Sequence, residues 1–252
     1  SGVGTDRRVR RRRWETTAAT ARTTISPTAP KTTAPRAVAL PVAARNPTTG
    51  PAQQTAQVLA ASERAGARYL LAVLPMLRAG ETDRNGALYA RRRDMLATGL
   101  EMLCAQAARC GITVLLEPFD SLFSPSAHAA ELLWYFARVE GLFCAFDTGN
   151  PVVCGEDAEK ILPTLLPYIR IVHAKDRAFC DNGMPGKQTA SGKKVYPAAV
   201  GRGDLPLAGI FKTLQQSSFD GAVFAEHFDH ADEMGAMEDS ARFLRAELFK
   251  NA

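Results

Sequence analysis

Acidic side chains are almost missing from the first 50 positions of this 252-residue chain. Ten Lys and Arg stand there against Asp6 and Glu15, whereas the other 202 residues carry 21 basic and 24 acidic side chains. The net charge of +5 is therefore the property of a tail. The remainder is slightly acidic, so nucleic acid is not an expected partner. The five cysteines are an odd number and form no Cys-x-x-Cys pair. That fits reduced thiols in a cytoplasmic protein better than a disulfide framework. No apolar run approaches the roughly 18–20 residues of a membrane span, so no membrane partner is expected. No apolar stretch follows Arg10 to Arg13 as a secretory signal requires.

Residues 1–35 also lack any hydrophobic period. They are rich in Thr, Ala, Arg and Pro, and their apolar residues are mostly small. Such a segment cannot bury enough surface to offset its ordering entropy. It is expected to be a disordered or non-native basic Thr/Pro/Arg-rich extension, with residues 36–252 as the folded domain. The arginines would also suit a nucleic-acid or targeting patch, but a solvated tail is the simpler expectation.

What the chain does have is strict alternation. Strands are expected over 36–42, 68–74, 112–116, 142–146, 169–172 and 222–225. Helices are expected over 53–65, 88–109, 126–139 (with a Ser cap), 156–166, 205–216 and 230–248. In the second helix Leu88, Met95, Leu96, Leu100, Leu103 and Ala107 form the predicted apolar stripe. Residues 177–203 read as a long polar loop, a feature that is usually functional or mobile. Apolar strands alternating with helices indicate an α/β fold with a parallel sheet, either doubly wound or closed as a barrel.

Four of these strands end on a residue that can hold a metal: Glu117, Asp147, His173 and Glu226. In a β/α barrel the carboxyl ends of the strands gather on one rim, where functional residues sit. Any one of the four would pass as an ordinary loop residue; four on consecutive strands would converge. Three carboxylates and an imidazole make an oxygen-rich site suited to Mn²⁺, Mg²⁺ or Co²⁺, with Zn²⁺ also admitted. Without a cation the carboxylates would repel one another.

Glu117-Pro118, Asp147-Thr-Gly-Asn150, His173-Ala-Lys-Asp176, Gly201-Arg-Gly-Asp204 and Glu226-His227 together resemble the xylose-isomerase-like TIM-barrel superfamily, which includes the sugar phosphate isomerase/epimerase family. The resemblance covers about residues 36–250. It implies a (β/α)8 TIM-barrel type and a sugar, sugar phosphate or cyclitol isomerase or epimerase. Such an enzyme moves a proton next to a carbonyl through an enediolate. It implies Glu117, Asp147, His173 and Glu226 as metal ligands, with Glu117 and Glu226 also catalytic. Asn150, Lys175, Asp176, Arg177 and Arg202 are the candidate substrate contacts; the alternative roles for Asp176 are to orient a ligand, bind a second metal or sit in a loop ion pair. The expected partner is a small-molecule sugar or sugar-derived substrate, and a homo-oligomer is compatible with the pattern. Ketose 3-epimerases carry Glu, His and Arg where this chain has Phe123, Asn150 and Phe179, so their sugar specificity does not transfer. The alternatives are an inosose-dehydratase-like lyase, an endonuclease IV-like DNA-repair enzyme and an inactive truncated remnant. Four histidines in all count against the trinuclear zinc site of the second.

Counted back from Glu226 as the end of an eighth strand, residues 36–42 form the third. The first two β/α units are then lacking, and about six strands are recognisable. A truncated or wrongly framed gene product is the expected explanation.

Overall fold

The structure is a computed structural model that describes residues 36–39, 51–227 and 232–248. The basic extension over 1–35, the end of the first expected strand and the expected helix start at His230 lie outside the described residues. Six strands form one sheet in the order β1-β2-β3-β4-β5-β9, every neighbouring pair parallel. They are β1 (Arg36–Ala39), β2 (Ala67–Leu71), β3 (Thr113–Leu116), β4 (Leu142–Asp147), β5 (Ile169–Ala174) and β9 (Ala222–Ala225). The helices between and after them are α1 (Pro51–Arg64), α2 (Ala87–Arg109), α3 (Ala129–Arg138), α4 (Ala158–Leu165), α5 (Leu207–Gln216) and α6 (Glu233–Leu248). None of the helices among the described residues is long and apolar enough to cross a membrane. The sheet is open among the described residues, with β1 and β9 at its edges. This agrees with the expected incomplete barrel of about six strands.

Side chains alternate between the two faces of each strand. Leu70, Val114, Leu116, Cys144, Phe146, Val172 and Val223 point one way and pack with Leu100, Leu103, Leu132, Tyr135, Leu162, Ile210 and Phe211 of the helices. The intervening residues Leu71, Leu115, Ala145 and Ile171 form a second, smaller cluster on the inner face. Tyr69, Phe143 and Phe224 lie against it and are only half-buried. Gly111, at φ +66°, ends α2 in the left-handed region and turns the chain at once into β3.

Three expectations need correction. The buried face of α2 is Tyr89, Ala97, Leu100, Leu103, Cys104 and Ala107, while Leu88 and Met95 are exposed. The true face is built on Tyr89, whose ring lies against the guanidinium groups of Arg84 and Arg93. The start of α3 is set not by Ser126 but by Glu131 and Glu156. Glu131 accepts the His128 N–H at 3.1 Å, and Glu156 accepts the Ala129 N–H at 3.0 Å. The polar stretch 177–203 is not a plain loop. It holds most of a three-stranded antiparallel sheet made of β6 (Asp176–Ala178), β7 (Lys187–Gln188) and β8 (Lys194–Ala198).

Candidate metal centre

The inner-face residues Leu115, Ala145, Ile171 and Phe224 are each followed, two positions later, by Glu117, Asp147, His173 and Glu226. A period of two carries each of these polar residues onto the same face, one pleat beyond the apolar stripe. Register does the rest. Asp147 stands opposite His173 across β4 and β5, and His173 stands opposite Phe224 across β5 and β9. The Glu226 N–H donates to the Ala174 carbonyl at 2.9 Å, which extends the β9 ladder to the site. One donor atom of each of the four residues lies within 4.8 Å of every other.

Nδ1 of His173 is 3.2 Å from Oε2 of Glu117 and 3.1 Å from Oε2 of Glu226. Oδ1 of Asp147 accepts the N–H groups of Gly149 and Asn150 at 2.8 and 2.7 Å. Its other oxygen, Oδ2, lies 2.9 Å from Nζ of Lys175, and Oε1 of Glu226 lies 3.2 Å from the same ammonium. Asp147 Oδ2 and Glu226 Oε2 are buried and close to cations, yet neither accepts a well-directed hydrogen bond. Oxygens near positive groups but aimed elsewhere are what a shared central ligand position produces.

The electrostatics follow from burial and crowding. Burial pushes Asp147 up to about 7, with Lys175 pulling it down and Glu226 and Glu117 adding to the rise. Burial works against charge on His173, but Glu226 and Glu117 outweigh it and raise the ring to about 10. Burial also opposes charge on Glu226 and Lys175. Lys175 and His173 nevertheless hold Glu226 well below the ordinary carboxylate range, and Asp147 and Glu226 hold Lys175 above the ordinary amine range.

Among the expected substrate contacts, Asn150 and Lys175 join the cluster; Oδ1 of Asn150 accepts from Nζ of Lys175 at 3.0 Å. Arg177 is buried beside the same turn, with Nε donating to the Gly149 carbonyl at 3.4 Å and Nη2 to Oδ2 of Asp120 at 3.2 Å. Asp176 spends its carboxylate on backbone. Its Oδ1 accepts the N–H groups of Arg177 and Leu205, and its Oδ2 those of Gly201 and Gly203, at 2.8 to 3.3 Å. Neither a substrate contact nor a second-metal role fits a carboxylate so filled. Arg202 points away, its partner being Asp239 of α6 at 3.1 Å. Two residues that the sequence did not single out belong to the surroundings: Asp120, three positions after Glu117, and Lys187, which pairs with it at 2.7 Å. The proximity of Asp120 to Glu117 was the only sequence signal. A small cleft lined by Lys175, Asp176, Arg177, Pro197, Glu226 and His227 lies beside the cluster.

The family model described as xylose isomerase-like TIM barrel matches residues 23–247. Solved structures share the fold at low identity. A xylose isomerase-like TIM barrel protein from Mycobacterium smegmatis in complex with magnesium is 15% identical, with a TM-score of 0.60 over 79% of this chain and 67% of that one. The IOLI protein with a zinc atom is 14% identical, with a TM-score of 0.67 over 87% of this chain and 78% of that one. The 3-keto-D-glucoside 4-epimerase from E. coli is 19% identical, with a TM-score of 0.56 over 77% of this chain and 70% of that one. No curated protein matches significantly.

Proposed function

The chain belongs to the xylose isomerase-like TIM barrel family, and from that premise we propose that it is a divalent-metal-dependent isomerase or epimerase acting on a sugar, sugar phosphate or cyclitol. The observation that carries this reading is the cluster of Glu117, Asp147, His173 and Glu226 at the carboxyl ends of four adjacent strands. Its donor set fits a cation. Two buried carboxylates and a half-buried one crowd one imidazole, and two of their oxygens lack a directed partner. Such an oxygen-rich set suits Mn²⁺, Mg²⁺ or Co²⁺ and admits Zn²⁺. A bound divalent ion would supply Lewis-acid polarisation of a carbonyl and its neighbouring hydroxyl.

The protein's own residues divide the remaining work. His173 and Asp147 would only hold the cation; two backbone amides fix the orientation of the Asp147 carboxylate. Glu117 and Glu226 take and return the proton on the carbon next to the carbonyl. An isomerase needs one of them and an epimerase needs both. Arg177, buried beside the cleft, is the proposed contact for a substrate hydroxyl or anionic group. Residues 36–252 are the proposed catalytic domain. The free cysteines suit a reducing compartment, so a cytoplasmic location belongs to the same reading.

The test is metal titration of the purified protein, followed by incubation of ketoses, sugar phosphates and cyclitol ketones in D₂O. Deuterium entering the carbon next to the carbonyl, only in metal-loaded protein, supports the reading. Glu226→Gln should keep metal within roughly tenfold of wild type and lose exchange by about a hundredfold or more. Absence of binding by every divalent metal tried would overturn it.

A further inference from the structure

We propose that the turn Asp147-Thr-Gly-Asn150 is a cradle for Lys175, and that Lys175 is a positioning residue whose fixed charge matches the carboxylate cluster to a divalent cation. This deepens the metal-dependent reading above and rests on it. Every residue of the turn touches the lysine. Oδ2 of Asp147 lies 2.9 Å from Nζ. Oγ1 of Thr148 accepts the Lys175 N–H at 2.8 Å and donates to the Lys175 carbonyl at 2.6 Å, using both capacities of a hydroxyl. Gly149 leaves room for the stem: a Cβ there would stand 2.7 Å from Cγ of Lys175 and 3.0 Å from its Cβ. Oδ1 of Asn150 accepts from Nζ at 3.0 Å.

Glu226 completes the set, with Oε1 at 3.2 Å from Nζ. Nζ donates to Asn150 and stands in ion-pair contact with Asp147 and Glu226. The lysine is thus directed at two of the cluster's carboxylates rather than at a substrate. It pairs with Oδ2 of Asp147 and Oε1 of Glu226, and Asn150 acts through it. A metal-bound imidazole is neutral, so with a cation in place three carboxylates and one ammonium leave two negative charges, which a divalent ion cancels. Without the ammonium the cluster carries three and suits a trivalent ion.

Mn²⁺ (read by EPR) and Tb³⁺ (read by luminescence) are titrated into wild type, Lys175→Met and Gly149→Ala. Lys175→Met should raise the affinity for Tb³⁺ relative to Mn²⁺ by about tenfold or more, because one unit of charge has left a buried site. Gly149→Ala keeps the charge but displaces the stem. It should shift the ratio the same way by a smaller factor, and it carries the test if Lys175→Met does not fold. An unchanged ratio in both variants overturns the proposal. The cradle is read separately, without metal, from melting temperatures of Asn150→Ala, Lys175→Met and the double variant. The double variant should melt no lower than Lys175→Met alone; full additivity of the two losses overturns the cradle. A wild-type protein that binds no divalent ion would sink the function proposed above and the charge matching with it. Coupling in the melts would then still support the cradle.

Discussion

At Asp176 four backbone N–H groups from residues 177, 201, 203 and 205 converge on one carboxylate. The sequence motifs around Lys175-Asp176 and Gly201-Arg-Gly-Asp204 are therefore two halves of one contact. Neither half reveals this alone, because the pairing is set by how the chain returns after 25 or more residues. Gly203 is required by that contact: a Cβ there would meet Oδ1 of Asp176 and stand 2.6 Å from the Arg177 carbonyl. Gly203→Ala should cost about 2 kcal/mol or more, seen as a melting temperature several degrees lower. An unchanged melt would show that the loop has room to give. The cluster's protons give a second expectation. Asp147 at about 7 and His173 at about 10 both lie above their ordinary values of 3.8 and 6.5. Raised groups favour the folded state most below their unfolded values, and that stability is lost as pH rises through the folded ones. Glu226, held low, has the opposite dependence, and its contribution is lost only in acid. Metal-free protein should therefore melt lower at pH 9 than at pH 6. Added Mn²⁺ should recover more of the melting temperature at pH 9. Equal melts at the two pH values would contradict this.

Among the elements, the strands were the most legible. Each is a largely apolar run, and four of them stop at a carboxylate or a histidine, so both the parallel sheet and the four site positions could be read off the chain. The small sheet β6–β8 could not. Its strands are two to five residues long, and one contains Pro197. Their pairing depends on tertiary ties rather than on a repeating pattern. One tie is Asp120, which holds Arg177 of β6 and Lys187 of β7 to the β3–α3 loop at 3.2 and 2.7 Å. The two cations differ in environment: the Arg177 side chain is 7% exposed and that of Lys187 42%. Breaking a buried pair leaves an uncompensated charge, whereas an exposed pair contributes little. Asp120→Asn should then destabilise by about 2 kcal/mol, and Lys187→Met by less than about 1 kcal/mol. Chemical denaturation of the two variants measures the difference, and equal losses would refute it. α2 shows a different limit. A stripe through Leu88 and Met95 has correct helical spacing, yet the helix buries the neighbouring face, because Tyr89 stacks with Arg84 and Arg93.

For the whole molecule the decisive fact is the order of strands. β4 and β5 lie within the sheet, while β1 and β9 each pair on one side among the described residues. Hydrogen exchange followed by mass spectrometry should find β4 and β5 slowest and β9 markedly faster. Equal protection of β9 would mean that its outer edge is paired. The incomplete barrel was legible because only six strand-like runs occur. How the inner face, with Tyr69, Phe143 and Phe224 half-buried, is finished was not, since the sequence states which residues face inward but not what they meet.

The position of Glu226 has a mechanical side. It follows directly on β9, the strand nearest the carboxyl terminus, which is joined to the sheet through the β5 ladder on one side. A cation held by Glu117, Asp147, His173 and Glu226 would act as a rivet through four strands at one end. Tension applied through α6 would then be carried by the rivet before it reached the backbone ladder. In a pulling experiment the metal-loaded chain would yield at a higher force than the empty one, and the first strand to come away without metal would be β9.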